Sequence, residues 1–377
     1  MLQLVSDYKQ AVLDAFYHLH ENPEISWEEI NTTAYIADVL EKQGCRVRTF
    51  PDTTGVVGEI GEGKPVIAIR ADIDALWQEV DGEFRANHSC GHDAHMAMVL
   101  GTMYVLSSLA ERPKGTIRFI FQPAEEKGNG ALRFVEDGVV DDVDYLFGVH
   151  LRPMQEMALG KATPVIVHGS ARLLGGKISG DDLHGARPHL GANAIEVGAM
   201  LVNMLNGIHL DSMTPYTVKM TSFHAGGSSQ NIIPGNASFS LDLRAQSNEI
   251  MDQLVSKIQK QVQTLQEMYQ VKIELEETAY IAAAVVNEEA TEIMRNAIVD
   301  VLGMENTERP LVTTGGDDFH FYTIKRPHLK ATMLGLGCNL APGLHHPKMK
   351  FDHEALFDGT EILVQAVLGA MERSEKG

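Results

Sequence analysis

Four side chains that could hold a metal ion lie within a few residues of position 90. They are Cys90, His92, Asp93 and His95. A thiolate and an imidazole two residues apart can reach the same ion, and this pair of ligands suits zinc and related divalent metals. The structural alternative is a buried cysteine with two surface histidines near the start of a helix. A metal site is expected here only if the rest of the chain supplies further ligands.

The cluster falls between a predicted strand and a predicted helix. Residues 65–70 form a run that is typical of a buried strand, and residues 96–109 are apolar and helix-forming. Asp93 is the predicted N-cap of this helix. In a doubly wound sheet, functional sites form in loops of this kind.

Polar side chains of similar types follow three predicted strands. The strands run into Asp72 and Asp74, into Glu125 and Glu126, and into His150. If the strands are parallel, their carboxyl ends meet at one edge of the sheet. We therefore expect these side chains to converge on the loop that carries Cys90.

Glu125 and Glu126 form a pair that could serve hydrolysis, although adjacent carboxylates often mark only a solvated turn. Next to a metal, one carboxylate can bind the ion while the other stays free and holds a water. A metal lowers the pKa of bound water from about 15.7 to about 7. The free glutamate can take that proton and deliver it to a leaving amine. The pair therefore indicates half of a hydrolase site.

Histidines supply the remaining candidate ligands. His150 lies at a strand end, where a core histidine with satisfied hydrogen bonds is an equal alternative. His345 and His346 lie in a loop after a later strand and could also be surface residues. Spacing alone does not choose between His345 and His346.

Three loops in the middle of the chain offer candidate contacts to a substrate. His184 and Arg187 could reach a carbonyl or carboxylate across a cleft, although a polar loop before a helix has the same composition. Asn231 is a polar donor in a glycine-rich loop. Arg244 ends a predicted strand and could pair with a carboxylate through two parallel hydrogen bonds.

The composition limits the class of protein. The 377 residues carry a formal net charge of -20, with 44% hydrophobic and 22% charged residues, which is typical of a globular protein. The negative charge argues against nucleic acid or anionic membranes as partners. Three scattered cysteines form no disulfide framework and favour a reducing compartment. No signal core and no apolar run of about 20 residues is present, so we expect a cytoplasmic protein.

The pattern of elements predicts an α/β protein with a second domain inserted in the first. Strands alternate with helices in the first 150 residues, which predicts a mostly parallel, covered central sheet. The following segment has the β-α-β-β-α-β order of a ferredoxin-like unit. We expect residues 1–168 and 283–377 to form the catalytic α/β domain. Residues 169–282 are then an inserted satellite domain that serves dimerisation or acts as a lid.

Seven motifs in order resemble those of the M20 metallopeptidase family, in its aminoacylase and amidohydrolase branch. They are residues 70–76 (RADIDAL), 90–95 (CGHDAH), 122–126 (QPAEE), 184–189 (HGARPH), 231–234 (NIIP), 317–319 (DDF) and 344–347 (LHHP). One such motif would be a weak signal, whereas seven in the family's order extend the resemblance over nearly the whole chain.

The resemblance implies two divalent metal ions per subunit. By it, Cys90 bridges the two ions, where most M20 peptidases use an aspartate. The rest of the implied ligand set is His92, Glu126, His150 and His345, and the family prefers His345 to His346. Glu125 corresponds to the general base. The resemblance implies manganese or zinc first, with cobalt and nickel as alternatives. The ligand types themselves, a mixture of thiolate, imidazole and carboxylate, do not decide among these metals.

The resemblance also implies roles for the middle of the chain. His184 and Asn231 are similar to residues that contact the scissile carbonyl, and Arg244 is similar to one that binds the substrate carboxylate. In this branch His184 acts across a homodimer formed by paired satellite domains.

The sequence departs from the family pattern in two places. Residues 77–89 form a shorter segment than the family has before the Cys-Gly-His motif, and Trp77 replaces a proline. We expect a short loop there that reshapes the mouth of the site. Asp317 stands where the family often has glutamate.

Together these observations predict a metal-dependent hydrolase that cleaves the amide bond of N-acyl amino acids or related small amides. A dipeptidase or carboxypeptidase with the same site is the nearest alternative. A metal-dependent binding protein without catalysis is a third, and the free carboxylate of Glu125 argues against it. A structural zinc protein fits poorly, because ligands spread over about 250 residues lack compact structural spacing.

Overall fold

The computed structural model describes residues 2–110 and 114–375, which form two compact units. The first unit comprises Met1–Val167, Val285–Leu311 and Asp318–Gly377. The second comprises His168–Ala284 and Val312–Asp317.

The described helices and strands follow each other in the order below. The strands are β1 (Arg46–Thr49), β2 (Val56–Glu62), β3 (Val66–Asp72), β4 (Leu76–Val80), β5 (Glu83–Asn87), β6 (Gly115–Gln122), β7 (Tyr145–Pro153), β8 (Ala162–Thr163), β9 (Ile166–His168), β10 (Ser170–Ser179), β11 (Leu183–His184), β12 (Tyr216–Ala225), β13 (Ile232–Ile233), β14 (Ala237–Ala245), β15 (Lys272–Ile281), β16 (Leu311–Thr313) and β17 (Lys330–Leu340). The α-helices are α1 (Leu2–Glu21), α2 (Ile30–Lys42), α3 (His92–Ser107), α4 (Gly130–Glu136), α5 (Ala194–Asn206), α6 (Asn248–Tyr269), α7 (Glu288–Leu302), α8 (His320–Lys325) and α9 (Ala355–Glu375).

A seven-stranded sheet forms the centre of the first unit, in the order β1-β2-β6-β3-β7-β17-β8. The four middle strands β6, β3, β7 and β17 run parallel. The outer strands β1, β2 and β8 pair antiparallel. The predicted α/β class with a parallel centre is confirmed, and the antiparallel edges make the sheet as a whole mixed.

Helix α3 is the most deeply buried helix beside this sheet; its first turn carries His92, Asp93 and His95, and Cys90 lies just before it. Its side chains are buried on every face, between α1, α9 and the sheet. The predicted N-cap is wrong: Gly91, with a φ of 89°, precedes the helix, and Asp93 lies inside the first turn. Although α3 is apolar all round, neither it nor any other described helix is long and apolar enough to cross a bilayer.

Strands β4 and β5 form a hairpin where a short loop was expected. Asp81 and Gly82 connect the strands, with φ values of 53° and 90°. Two positive φ angles in a two-residue connection are typical of a type I′ turn, whose twist suits a hairpin. One face of the hairpin exposes Trp77 and Phe84.

The second unit contains a four-stranded antiparallel sheet in the order β12-β14-β10-β15. Helices α5 and α6 pack on it around a separate apolar core. The chain order of these elements is β-α-β-β-α-β, so the predicted ferredoxin-like arrangement is confirmed. The short strands β11 and β13 pair with each other beside this sheet.

Candidate metal centre

The ends of the parallel strands converge in the first unit, as the sequence predicted. His92 Nε2 lies 3.7 Å from Oδ2 of Asp72, the last residue of β3, and 3.9 Å from Oε1 of Glu126, which follows β6. The thiol Sγ of Cys90 lies 3.6 Å from Nε2 of His150 on β7. His345, in the loop after β17, places its Nε2 3.5 Å from Glu126 Oε1.

Two groups of candidate ligands share the thiol of Cys90. One group is Cys90, His92 and His150, and the other is Cys90, Glu126 and His345; within each group the ligand atoms all lie within 4.8 Å of one another. A thiolate common to two such groups could bridge two ions. The five side chains named from the sequence as ligands are therefore brought together.

Two buried atoms support the fit of a metal to this site. His92 Nε2 and Glu126 Oε1 are buried and have no hydrogen-bond partner among the described residues. His92 Nδ1 lies 2.8 Å from the carbonyl oxygen of Asp74, so Nδ1 carries the proton and Nε2 presents a lone pair. Metal-binding histidines are commonly held this way, with the second nitrogen donating to a carbonyl. Because buried polar atoms are rarely unsatisfied, these two atoms fit a site that binds a cation.

The electrostatics of the site favour a positive charge. Burial raises the pKa of the Cys90 thiol and of the Glu126 carboxyl, which disfavours their anionic forms. Burial opposes a charge on His92, yet the nearby Asp72 and Cys90 raise its pKa above the usual range. Burial lowers the pKa of His150, which keeps that ring neutral and able to bind an ion. A divalent cation would offset the cost of burying the anions.

Asp74 holds the turn that carries the two glutamates. Its Oδ1 accepts a hydrogen bond from the backbone N–H of Glu125 at 3.1 Å, and its Oδ2 accepts one from Glu126 N–H at 3.0 Å. The hydroxyl of Ser26 donates to Oδ2 at 2.6 Å. The Glu125 carboxylate is thereby held with Oε2 3.9 Å from His92 Nε2, beside the candidate ligands.

His95 belongs to the same motif, but both of its ring nitrogens form hydrogen bonds with other residues of the protein. Its Nδ1 lies 2.7 Å from Asp72 Oδ1, and its Nε2 accepts a hydrogen bond of 3.0 Å from the N–H of Leu151. Asp72 also accepts a hydrogen bond from the fully buried Arg70. These contacts favour a role for His95 in support of the site and not as a ligand.

Glu29 is a residue of this region that the sequence did not single out. It is fully buried, and its Oε1 accepts a hydrogen bond from the N–H of Ala124, directly before Glu125. Burial raises its pKa to about 7. Glu28 and Glu29 begin an ordinary amphipathic helix pattern, so no local signal separates the buried glutamate from its exposed neighbour.

The candidate substrate contacts lie in the second unit. His184 and Asn231 are exposed neighbours there: β11 and β13 pair, and Gly185 N–H donates to the Asn231 carbonyl at 2.8 Å. Arg244 is exposed and already bonded to both carboxylate oxygens of Asp242, at 2.7 and 3.1 Å. The bidentate carboxylate contact predicted for Arg244 is therefore made within the chain in this structure.

An α/β unit whose strand ends assemble two groups of candidate metal ligands beside the Glu125 carboxylate has the features of a metal-dependent hydrolase. Residues 68–369 match the model of peptidase family M20/M25/M40. The chain belongs to this family. Membership confirms the predicted resemblance and the predicted enzyme class, a metal-dependent hydrolase of linear amides.

Individual relatives extend over nearly the whole chain. The N-acetyl-L-cysteine deacetylase of Bacillus subtilis is 29% identical over 95% of this chain and 88% of its own. Thermostable carboxypeptidase 2 of Saccharolobus solfataricus is 32% identical over 86% of this chain and 85% of its own. The solved structure of a dinuclear metal-binding M20 peptidase from Bacillus subtilis is 27% identical, with a TM-score of 0.83 and coverage of 97% of this chain and 99% of that one.

Proposed function

We propose that this protein uses two divalent ions to hydrolyse the amide bond of N-acyl amino acids. Cys90 would be the shared ligand, His92 and His150 would complete one ion's ligand group, and Glu126 and His345 would complete the other's. The observation that carries the proposal is that Cys90 belongs to both ligand groups, with the Glu125 carboxylate beside them. Similar proteins support both the pair of ions and the substrate class. One similar solved structure is of a dinuclear metal-binding peptidase, and one relative is an N-acetyl-L-cysteine deacetylase.

Manganese or zinc are the ions proposed first, and cobalt or nickel are alternatives. One thiolate, three imidazoles and a carboxylate fit zinc and other first-row metals, whereas calcium and magnesium prefer oxygen ligands alone. Bound ions would activate a water molecule and polarise the carbonyl of the amide.

The chain's own residues would manage the proton. Glu125 is the proposed general base: it takes a proton from the attacking water and delivers it to the leaving amine. Asp74 is the proposed positioning residue, since it binds the backbone N–H groups of Glu125 and Glu126 and so fixes the carboxylate direction. His92 is kept in one tautomer by the Asp74 carbonyl, which leaves Nε2 for a ligand.

We also propose that residues 169–282 act as a satellite domain that contacts the substrate and forms a homodimer. His184 and Asn231 would bind the carbonyl, and Arg244 would exchange Asp242 for the substrate carboxylate. Dimerisation is supported by β12, which lies at an edge of its sheet, and by exposed apolar residues Ile195 and Val202 on α5. The three cysteines, at positions 45, 90 and 338, are buried and form no disulfide among the described residues, which supports the cytoplasm as the compartment.

A dipeptidase or carboxypeptidase remains the second candidate, because one relative is a carboxypeptidase. The test is a panel of N-acetyl amino acids and of unblocked dipeptides, assayed with enzyme reconstituted in turn with Mn²⁺, Zn²⁺, Co²⁺ or Ni²⁺. We expect kcat/KM to be higher for the N-acetyl compounds and activity to disappear with chelator. Preferential cleavage of unblocked dipeptides would favour the second candidate, and hydrolysis that survives complete metal removal would contradict both.

A further inference from the structure

The β4–β5 hairpin is bonded through polar side chains to the loop that carries His345. Gln78 Nε2 donates to the backbone carbonyl of His345 at 3.2 Å. Asn87 of the neighbouring strand β5, which pairs with Leu76, donates from Nδ2 to Gln78 Oε1 at 2.7 Å and to the Pro347 carbonyl at 3.2 Å. The two amide side chains thus form one connected clamp between hairpin and loop.

His345 has little other support for its position. Its side chain is 54% exposed, whereas those of the candidate ligands His92 and Glu126 are 0% and 11% exposed. Its φ of 62° lies in the left-handed region that non-glycine residues seldom adopt. The N–H of His345 donates to the Ser89 carbonyl at 2.8 Å, so Ser89 and Gln78 hold the backbone of His345 from its two sides.

The clamp touches only one of the two ligand groups. His92 is fixed by the Asp74 carbonyl, and His150 Nδ1 donates to the Leu151 carbonyl at 2.7 Å. Both rings are buried, and among the described residues no hydrogen bond joins either ring to the hairpin. A change in the clamp therefore acts on the Cys90–Glu126–His345 group and spares the Cys90–His92–His150 group.

We propose that Gln78 and Asn87 are positioning residues for His345 and set the affinity of one of the two ions. The inference rests on the proposed dinuclear site and deepens it. The ion held by His345 is the exchangeable one, because its exposed ligand depends on two side-chain amides. The ion at the buried histidines is retained whether or not the clamp is intact.

The test measures Zn²⁺ binding to the full-length, metal-free protein in two ways. Calorimetric titration gives the affinities, and the metal content after gel filtration gives the number of ions retained. Gln78→Met keeps the side-chain length and removes both its hydrogen bonds, and Asn87→Ala removes the other end of the clamp. In each variant we expect one ion to bind as in the wild type and the other to bind about 10- to 100-fold more weakly, the usual effect of losing a residue that orients a ligand. Because the two substitutions lie on different strands, one variant still tests the proposal if the other fails to fold.

Glu79→Met is the matched control, because Glu79 follows Gln78 on the same strand and lies on the exposed face. It should bind both ions as the wild type does. If the titrations of Gln78→Met and Asn87→Ala superimpose on that of the control, the positioning role of the clamp is refuted. The proposed dinuclear site would not be affected by that result. If both ions bind more weakly by the same factor, the positioning role is also refuted, since the hairpin would then support the whole site and not His345 in particular. A wild type that binds fewer than two ions would overturn the proposed site and this inference together.

Discussion

Glu29 and Ala124 are joined by a hydrogen bond of 2.9 Å, from the N–H of Ala124 to Oε1 of the buried carboxyl. Ala124 has a φ of 53°, a left-handed conformation that costs free energy for a residue with a side chain. The hydroxyl of Thr54 donates to the other carboxyl oxygen, Oε2, at 2.5 Å. Glu29 therefore helps to hold the backbone conformation from which Glu125 projects.

This buried carboxyl predicts a pH dependence of stability. Burial raises the pKa of Glu29 from 4.5 to about 7, so between these values the folded state keeps a proton that the unfolded state has lost. The stability that this group contributes is full below pH 4.5 and is lost as the pH rises through about 7, by up to roughly 3 kcal/mol. Glu29→Gln cannot ionise, so its free energy of unfolding should rise relative to wild type over that window.

Urea unfolding of metal-free protein at several pH values between 4.5 and 8 measures the effect. Glu28→Gln is the control, because Glu28 is the exposed neighbour and should leave the wild-type pH profile unchanged. If the profiles of Glu29→Gln and wild type run parallel, the raised pKa of Glu29 is refuted.

Glu125 and Glu126 should separate catalysis from metal binding. Glu125→Ala removes the proposed general base and should lower kcat about 10²- to 10⁴-fold while both ions stay bound. Glu126→Ala removes a proposed ligand and should lose one ion as well as activity. Metal content after gel filtration and kcat on an N-acetyl amino acid distinguish the two. An unchanged kcat for Glu125→Ala would rule out its proposed role.

His345 and His346 should differ in metal-linked stability. His345 Nε2 faces Glu126, whereas His346 is exposed and its Nδ1 accepts a hydrogen bond from Lys348 N–H. A saturating ion at 1,000 times its Kd raises the free energy of unfolding by about 4 kcal/mol. We expect His345→Ala to lose about this amount of Zn²⁺-dependent stabilisation and His346→Ala to keep it, as measured by urea unfolding with Zn²⁺ and with EDTA. The reverse pattern would show that the ligand is misassigned.

Arg70 should be a large contributor to stability beneath the site. Its fully buried guanidinium donates to Asp72 and Asp318 at 2.6 and 3.0 Å and to Gln122 at 2.9 Å. Arg70→Met leaves buried carboxylates without their cation, and the expected loss is about 3–5 kcal/mol.

The control for Arg70 is Arg46→Met, which breaks an ion pair with Glu59 at a side chain that is 59% exposed. Exposed pairs contribute about 1 kcal/mol or less. Denaturant midpoints of the two variants give the comparison. Similar midpoints would mean that the buried network is far weaker than its geometry indicates.

Much of the site could be predicted from the sequence because its residues lie at or just after the ends of strands. Strand β3 is buried along its whole length, and in the sequence its residues 66–69 form an apolar run that leads into Arg70 and Asp72. The same pattern recurs before Glu125 and at His150. Once such strands are parallel, topology alone brings their ends together, and the convergence of these residues needs no knowledge of side-chain contacts.

The features that were missed depend on contacts distant in sequence or on weak local patterns. Glu29 acts on Ala124, 95 residues away, and nothing beside it signals burial. The hairpin has a turn signal in Asp81-Gly82, but its exposed Trp77 and Phe84 interrupt the usual alternation of polar and apolar faces. Asp93 has a side chain typical of an N-cap, yet Gly91 adopts the left-handed conformation from which the helix begins.

The insertion of the second unit has a consequence for how the protein acquires its ions during synthesis. Cys90, His92 and His150 are translated before the second unit, and His345 is translated after it, about 195 residues later than His150. At about 5–20 residues per second, a ribosome needs roughly 10–40 s for that interval. A nascent chain therefore carries Cys90, His92 and His150 well before His345 exists. If the proposed dinuclear site forms, this order would favour binding of the ion at the buried histidines first and of the ion at His345 last.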